Sequence, residues 1–233
     1  MANADVFEAE AAGCQHSHSS AVYVFPPSPT SRPHLVVLEA LRPRGEDEQF
    51  WEQLAHMVAA LHTSTVSDRF GWHRDGWHGR MLQENGWETD GYQFYAQHRI
   101  LRRLRENPVQ EEFDRDQLRA IERLSLALPE LIPPHPPSLT HGDMWPGNIL
   151  ADGSGRPVLI DPAVSYCWPE IDLATLWCQP RSSASDRFLA VYEDLTHPCE
   201  GWRDNAQVLR IWGLFSVIAH ASTRGAPHES STN

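Results

Sequence analysis

A chain of 233 residues can bury the core of one large domain, and its 41% hydrophobic and 21% charged content is that of an ordinary globular protein. The formal net charge of −12 repels nucleic acid and anionic membranes, so neither is an expected partner. All 19 basic residues are arginine, and the four cysteines (Cys14, Cys167, Cys178 and Cys199) form no CxxC pair, so reduced thiols are expected rather than a zinc site.

Met1 to Glu10 carries Asp5, Glu8 and Glu10 with neither a basic start nor an apolar stretch. No secretory leader is expected there, and the cytoplasm is the expected compartment. Val6–Ala12 suits a helix that Gly13 would end. Ala21–Phe25 and Leu35–Glu39 read as short strands on either side of a proline-rich turn from Pro26 to Thr30. One helix and two strands make a poor independent core, so residues 1–41 are expected to be an incomplete module attached to a larger lobe.

From Glu46 the period becomes helical, with Phe50, Leu54, Met57, Val58 and Leu61 on one face. Phe70 to Gly91, rich in Gly, Trp, His and Asn, reads as an ordered loop, and His73, His78 and His98 as loop or helix-face residues. Helices follow over Tyr92–Arg105 and Glu111–Leu128, the second ended by the proline-rich segment from Pro129 to Pro137. Arg99, Arg102, Arg103 and Arg105 read as a solvated face paired with nearby acids. Asn148–Ala151 and Pro157–Asp161 flank the Gly-rich turn Asp152–Gly155 and predict a hairpin. Helices over Glu170–Cys178, Ser185–Leu195 and Arg203–Ala221 complete a lobe spanning 42–224, before a polar tail at 225–233. The apolar run Ile211–Ala221 is about half the length that spans a bilayer.

The most informative stretch is His141-Gly142-Asp143-Met144-Trp145-Pro146-Gly147-Asn148, with Asp161 thirteen residues further on. Kinase-type phosphoryl transfer needs a carboxylate beside the accepting hydroxyl and hard oxygen ligands for magnesium on the nucleotide phosphates. Asp143 suits the first role, as a short carboxylate on a loop. Asn148 and Asp161 suit the second, and the predicted hairpin folds Asp161 back beside Asn148. His141 is expected to anchor the loop, and Asp172 to hold it through backbone amides.

HGDMWPGN followed by RPVLIDPAVSYCWPEIDLATLW resembles the fructosamine/ketosamine-3-kinase family, whose pattern is HGDLWxGN and then PxxxDPAxxYxxxExDLA. VFEAEAAG, LVVLEAL, LAHMVAALH and FGWHRDGWHGRMLQENGWETDGYQFYAQHRI resemble further stretches of the family, so the match runs over roughly residues 6 to 220. The resemblance implies an α+β, protein-kinase-like fold related to aminoglycoside phosphotransferases. Its C-terminal lobe (42–224) would be mostly helical, and its N-terminal nucleotide-binding lobe (1–41: a helix, two short strands and the hinge) incomplete. It implies ATP-dependent phosphorylation of the sugar 3-hydroxyl of ketosamines, the fructosamine and ribulosamine adducts on amines, as deglycation-type repair. ATP and Mg2+ would be the cofactors, Asp143 the base, and Asn148 and Asp161 the magnesium ligands.

By the same resemblance, Glu10 and Glu39 lie on the nucleotide side. Gln83, Asn85 and Trp87 match a Q-x-N-x-W loop that shapes the acceptor pocket or orders itself by hydrogen bonds. Trp145 either stacks on a sugar face or packs as a core indole. The sequence departs from the family in two places. The Gly-rich phosphate-covering turn and the lysine-bearing strand that precede the FEAEA-type helix have no counterpart after Met1, which leaves Glu10 without its partner. The family's Asn-x-Ile-Gly reads Gly76-Trp77-His78-Gly79, which implies altered acceptor choice. Weak turnover and self-association through residues 20–40 are therefore expected. The alternatives are an inactive pseudokinase or truncated binding protein, and a phosphotransferase for aminoglycosides or choline.

Overall fold

The computed structural model of the protein describes residues 30–32, 35–37, 40–79, 81–177 and 182–224. The helix expected over 6–12, the strand over 21–25, Glu10, Glu39 and the tail from 225 lie outside these residues. The strand expected at Leu35 is present as β2 (Leu35–Val37), paired antiparallel with β1 (Thr30–Arg32).

Asp47 opens α1 (Glu48–Ser64) by accepting the amide of Phe50 at 3.0 Å, one of the donors that a helix start leaves bare. Phe50, Leu54, Val58 and Leu61 are buried as the periodicity requires, and Met57 packs at the edge of the same core. This face lies against α7 (Ser183–Thr196), whose Phe188, Leu189 and Tyr192 enter that core. Each such side chain contributes about 1.5–3 kcal/mol when fully buried.

Small antiparallel sheets carry the loops. β3 (Arg42–Pro43), β7 (Ile149–Ala151) and β8 (Pro157–Leu159) lie in the order β3-β7-β8, with Ile149 opposite Leu159. β6 (Ser138–Thr140) pairs with β9 (Ser165–Cys167). Between 70 and 91, read as a loop, the chain forms the hairpin β4 (Gly76–His78) and β5 (Met81–Gln83). Strands of three residues are too short for an alternating pattern to stand out.

The helix expected over 92–105 is a continuous rod: α2 (Gly91–Phe94), a π-helical stretch (Tyr95–Leu101) and α3 (Arg102–Leu104). Its arginines correct the solvated-face reading, because Arg99 and Arg103 are 1% and 0% exposed. Arg99 donates to Glu84 O at 3.0 Å and Asn85 Oδ1 at 2.7 Å, while Arg103 donates to Leu82 O at 2.8 Å and Glu106 Oε1 at 2.6 Å. A buried guanidinium persists only when paired in this way. Burial pulls Arg99 down to about 10, which still leaves it charged. Arg102, at 2.7 Å from Glu84, fits the expectation, and Arg105 is exposed as a solvated face requires.

The expected helix over 111–128 divides into α4 (Asn107–Glu112) and α5 (Arg115–Leu131), the latter opened by an Asp114–Gln117 capping box. α5 runs through Pro129 instead of stopping there. Pro129 falls in the last turn, so one hydrogen bond is lost and little helix has to continue past it. After α6 (Glu170–Trp177), the helix expected over 203–221 divides at Arg210 into α8 (Trp202–Leu209) and α9 (Ile211–Arg224). There the Tyr95 hydroxyl donates to Leu209 O at 2.6 Å, which occupies the carbonyl where the helix is interrupted. Among the described residues, no helix is long and apolar enough to cross a membrane.

Candidate active site

The loop after β6 is fixed from beneath by Asp172, which is fully buried on α6. Its carboxylate accepts the amides of His141 at 2.8 Å and Gly142 at 2.7 Å, and lies 3.1 Å from His62 Nε2. His62 Nδ1 is in turn 2.8 Å from the Tyr192 hydroxyl, so α1, α6 and α7 hold the loop together. Gly142 has φ +78, and a Cβ there would fall 2.2 Å from Ala163 O, so no other residue fits. His141 is buried, with Nε2 3.0 Å from Ile160 O and Nδ1 3.2 Å from the Asp143 amide. An amide can only donate, so Nδ1 accepts and Nε2 carries the proton. Burial pulls this imidazole below its ordinary pKa, consistent with a neutral ring that acts as an anchor.

Asp143 emerges from that loop half-buried, its Oδ2 3.2 Å from Asn148 Nδ2. The same nitrogen donates to Asp143 O at 2.9 Å. The amide nitrogen of Asn148 thus faces Asp143, and its carbonyl oxygen is the atom left for another ligand. β7 and β8 bring Asp161 alongside, since Ile160 N donates to Asn148 O at 3.1 Å. Asp161 takes the left-handed backbone conformation at φ 54, which is costly for a non-glycine residue and recurs at functional sites.

The two aspartates are electrostatically unequal. Burial pushes the Asp143 carboxyl up, but the hydrogen bond and charge of His78, with His141 and Asn148, outweigh it and hold the group below the usual range. For Asp161, desolvation and the negative charge of Asp143 raise it, and His141 and His78 compensate only in part. A cation beside Asp161 and the Asn148 carbonyl would relieve both causes of that rise, so these residues fit a hard divalent ion. Among the described residues, no three His, Cys, Asp or Glu side chains form a metal cage. Magnesium needs no such cage, because it keeps waters and phosphate oxygens in its shell.

These groups face a cavity of about 670 Å3 whose lining includes His78, Asp143, Trp145, Asn148, Asp161 and Arg210. Trp145 is 50% exposed, and its indole lies over Gly147, where a Cβ would be 2.2 Å from the ring. Gln83, Asn85 and Trp87 do not line this cavity. Gln83 donates to Ala163 O at 3.1 Å, Asn85 bonds to Arg74 O and Arg99, and Trp87 sits under Arg69 at 4.8 Å. Three site residues escape sequence reasoning, Arg210 on the cavity wall among them. Arg44 Nη1 donates to Pro146 O at 2.8 Å and so ties the β3 segment to the turn before Asn148. His78 lies with Nε2 3.2 Å from Asp143 Oδ1. Its only linear signal is the Gly-Trp-His-Gly departure from the family pattern.

A mixed fold with a helical lobe, and a loop presenting Asp143, Asn148 and Asp161 to one cleft, define a kinase-like phosphotransferase. The fructosamine kinase family model matches residues 1–233, and the chain belongs to that family. It is 31% identical over 212 residues to a probable ketoamine kinase of Enterococcus faecium, covering 88% of this chain and 71% of the relative. It is 27% identical to a chloroplastic protein-ribulosamine 3-kinase of Oryza sativa, over 76% of this chain and 51% of that one. The chain thus spans about half the length of the rice relative. A putative fructosamine-3-kinase of Haemophilus somnus superimposes with a TM-score of 0.79 at 20% identity, over 95% of this chain and 75% of that structure. A type I macrolide 2'-phosphotransferase does so at 0.59 and 17% identity, over 94% and 75% of the two chains. At those identities the two structures speak for the fold alone.

Proposed function

We propose that this chain phosphorylates the sugar 3-hydroxyl of ketosamines, the fructosamine or ribulosamine adducts formed on amines, using ATP and Mg2+. The observation that carries the reading is the Asp143 carboxylate, held below its ordinary pKa and facing a cavity it shares with Asn148 and Asp161. An ionised carboxylate at that point can accept the hydroxyl proton as the oxygen attacks a phosphoryl group. The Asn148 carbonyl and the Asp161 carboxylate would hold Mg2+, which when bound neutralises charge on the phosphates. Trp145 offers an exposed indole face to a sugar ring, and Arg210 lines the same cavity. The names of the bacterial and rice relatives favour a ketosamine acceptor over an aminoglycoside or choline.

The test is incubation of the purified chain with Mg2+, ATP and a ribulosamine or fructosamine adduct of a blocked lysine, followed by 31P NMR. A new sugar phosphomonoester resonance is expected. Its absence while the same assay detects phosphorylated aminoglycoside or choline would move the acceptor, and transfer to none of them would overturn the reading.

A further inference from the structure

His78 ends β4, is 4% exposed, and places Nε2 3.2 Å from Asp143 Oδ1. Its other nitrogen, Nδ1, is buried without a hydrogen-bond partner among the described residues. That asymmetry assigns the proton. A carboxylate is an acceptor only, so Nε2 is the nitrogen that presents its hydrogen to Asp143.

The ring is also held in place. It stacks on Trp212 with centroids 4.8 Å apart and planes 23° from parallel. Trp212 is itself 2% exposed and lies under the guanidinium groups of Arg99 and Arg103, at 5.1 and 4.6 Å. Those two arginines grip the strand and tail that follow His78, through Leu82 O and Glu84 O. A continuous packed chain therefore leads from the α2–α3 rod through Trp212 to His78 and on to the carboxylate. Asn148 holds the other oxygen, Oδ2, at 3.2 Å. Without His78, the Asp143 carboxylate would be free to rotate about that single remaining side-chain contact.

We propose that His78 is a positioning residue for the proposed base: its Nε2–H clamps Asp143 Oδ1 and sets the direction in which the carboxylate meets the acceptor hydroxyl. The inference rests on the reading of Asp143 given under Proposed function. It differs from a packing role in what it requires, namely the donor and not the ring. His78→Phe keeps an aromatic ring against Trp212 and removes the donor. His78→Gln loses the ring and keeps an N–H of similar reach.

Steady-state kinetics on both variants should separate the roles. Expected is a loss in kcat of about tenfold to a hundredfold for His78→Phe, the cost of a misplaced reacting group, with KM for ATP unchanged. Partial recovery of kcat in His78→Gln should accompany it. Phe equal to wild type, or Gln worse than Phe, would overturn the proposal and leave a packing role. The contact can also be read without turnover, from the His78 imidazole 15N resonances in wild type and Asp143→Ala. A clear displacement of Nε2 supports the clamp even if the wild type transfers no phosphate, in which case the functional reading fails and not the contact. An unmoved Nε2 resonance would overturn the clamp whatever the kinetics.

Discussion

Asp172 is the residue whose loss should be felt most widely, because one buried carboxylate satisfies three donors. It takes the amides of His141 and Gly142 at 2.8 and 2.7 Å and lies 3.1 Å from His62 Nε2. Asp172→Ala leaves two backbone N–H groups buried without acceptors, each costing about 1–3 kcal/mol, and strands His62 between Tyr192 and a void. The three losses share one loop and are not additive, so a total of about 3–5 kcal/mol is expected, the range for breaking a buried charged network. Asp172→Asn keeps one acceptor oxygen for a loop amide and turns an NH2 toward the other donors. About 2–3 kcal/mol is expected for it, since one charge-assisted bond survives in neutral form. Guanidinium unfolding of wild type and both variants, compared at common m-values, measures this directly. An Asp172→Ala chain within about 1 kcal/mol of wild type would refute the reasoning, because that is less than one unsatisfied buried amide.

Two further outcomes follow from the same geometry. Gly142→Ala forces a side chain into a left-handed conformation against Ala163 O, and it should lose at least about 1–3 kcal/mol in the same unfolding assay. A wild-type-like midpoint would show that the loop does not require that turn. The buried His141 has a folded pKa below its unfolded value near 6.5, so the unfolded chain binds more protons as pH falls through that window. Its contribution to stability is present above about pH 6.5 and is lost below it. Burial lowers His98 in the same sense, whereas Glu170 outweighs burial at His135 and raises it, which opposes the trend. The difference between wild type and His141→Asn isolates the effect: the wild type should lose more stability between pH 7.5 and 5.5. Parallel pH profiles would contradict it.

The hairpin that returns Asp161 to Asn148 is legible in the sequence, because two apolar runs around Asp152-Gly153-Ser154-Gly155 leave the chain few other options. The core face of α1 is legible for the same kind of reason, with Phe50, Leu54, Val58 and Leu61 at helical steps. The arginines of the α2–α3 rod mislead. Charge suggests solvent, but Arg99 and Arg103 find backbone carbonyls on a hairpin too short to be read from alternation. His78 is legible only as part of a departure from the family pattern, for a related reason. Its partner Asp143 is distant in the chain, and only the packing of β4 against Trp212 brings the two together. Sequence motifs mark residues that act as one local unit.

The most direct test of the central claim compares phosphoryl transfer by wild type and Asp143→Asn, using Mg–ATP and a ribulosamine or fructosamine adduct, with nucleotide binding measured alongside. Asparagine keeps the shape and removes the proton acceptor, so transfer should fall by about a hundredfold or more while nucleotide affinity persists. Equal transfer rates in the two proteins would contradict the assignment of Asp143 as the base.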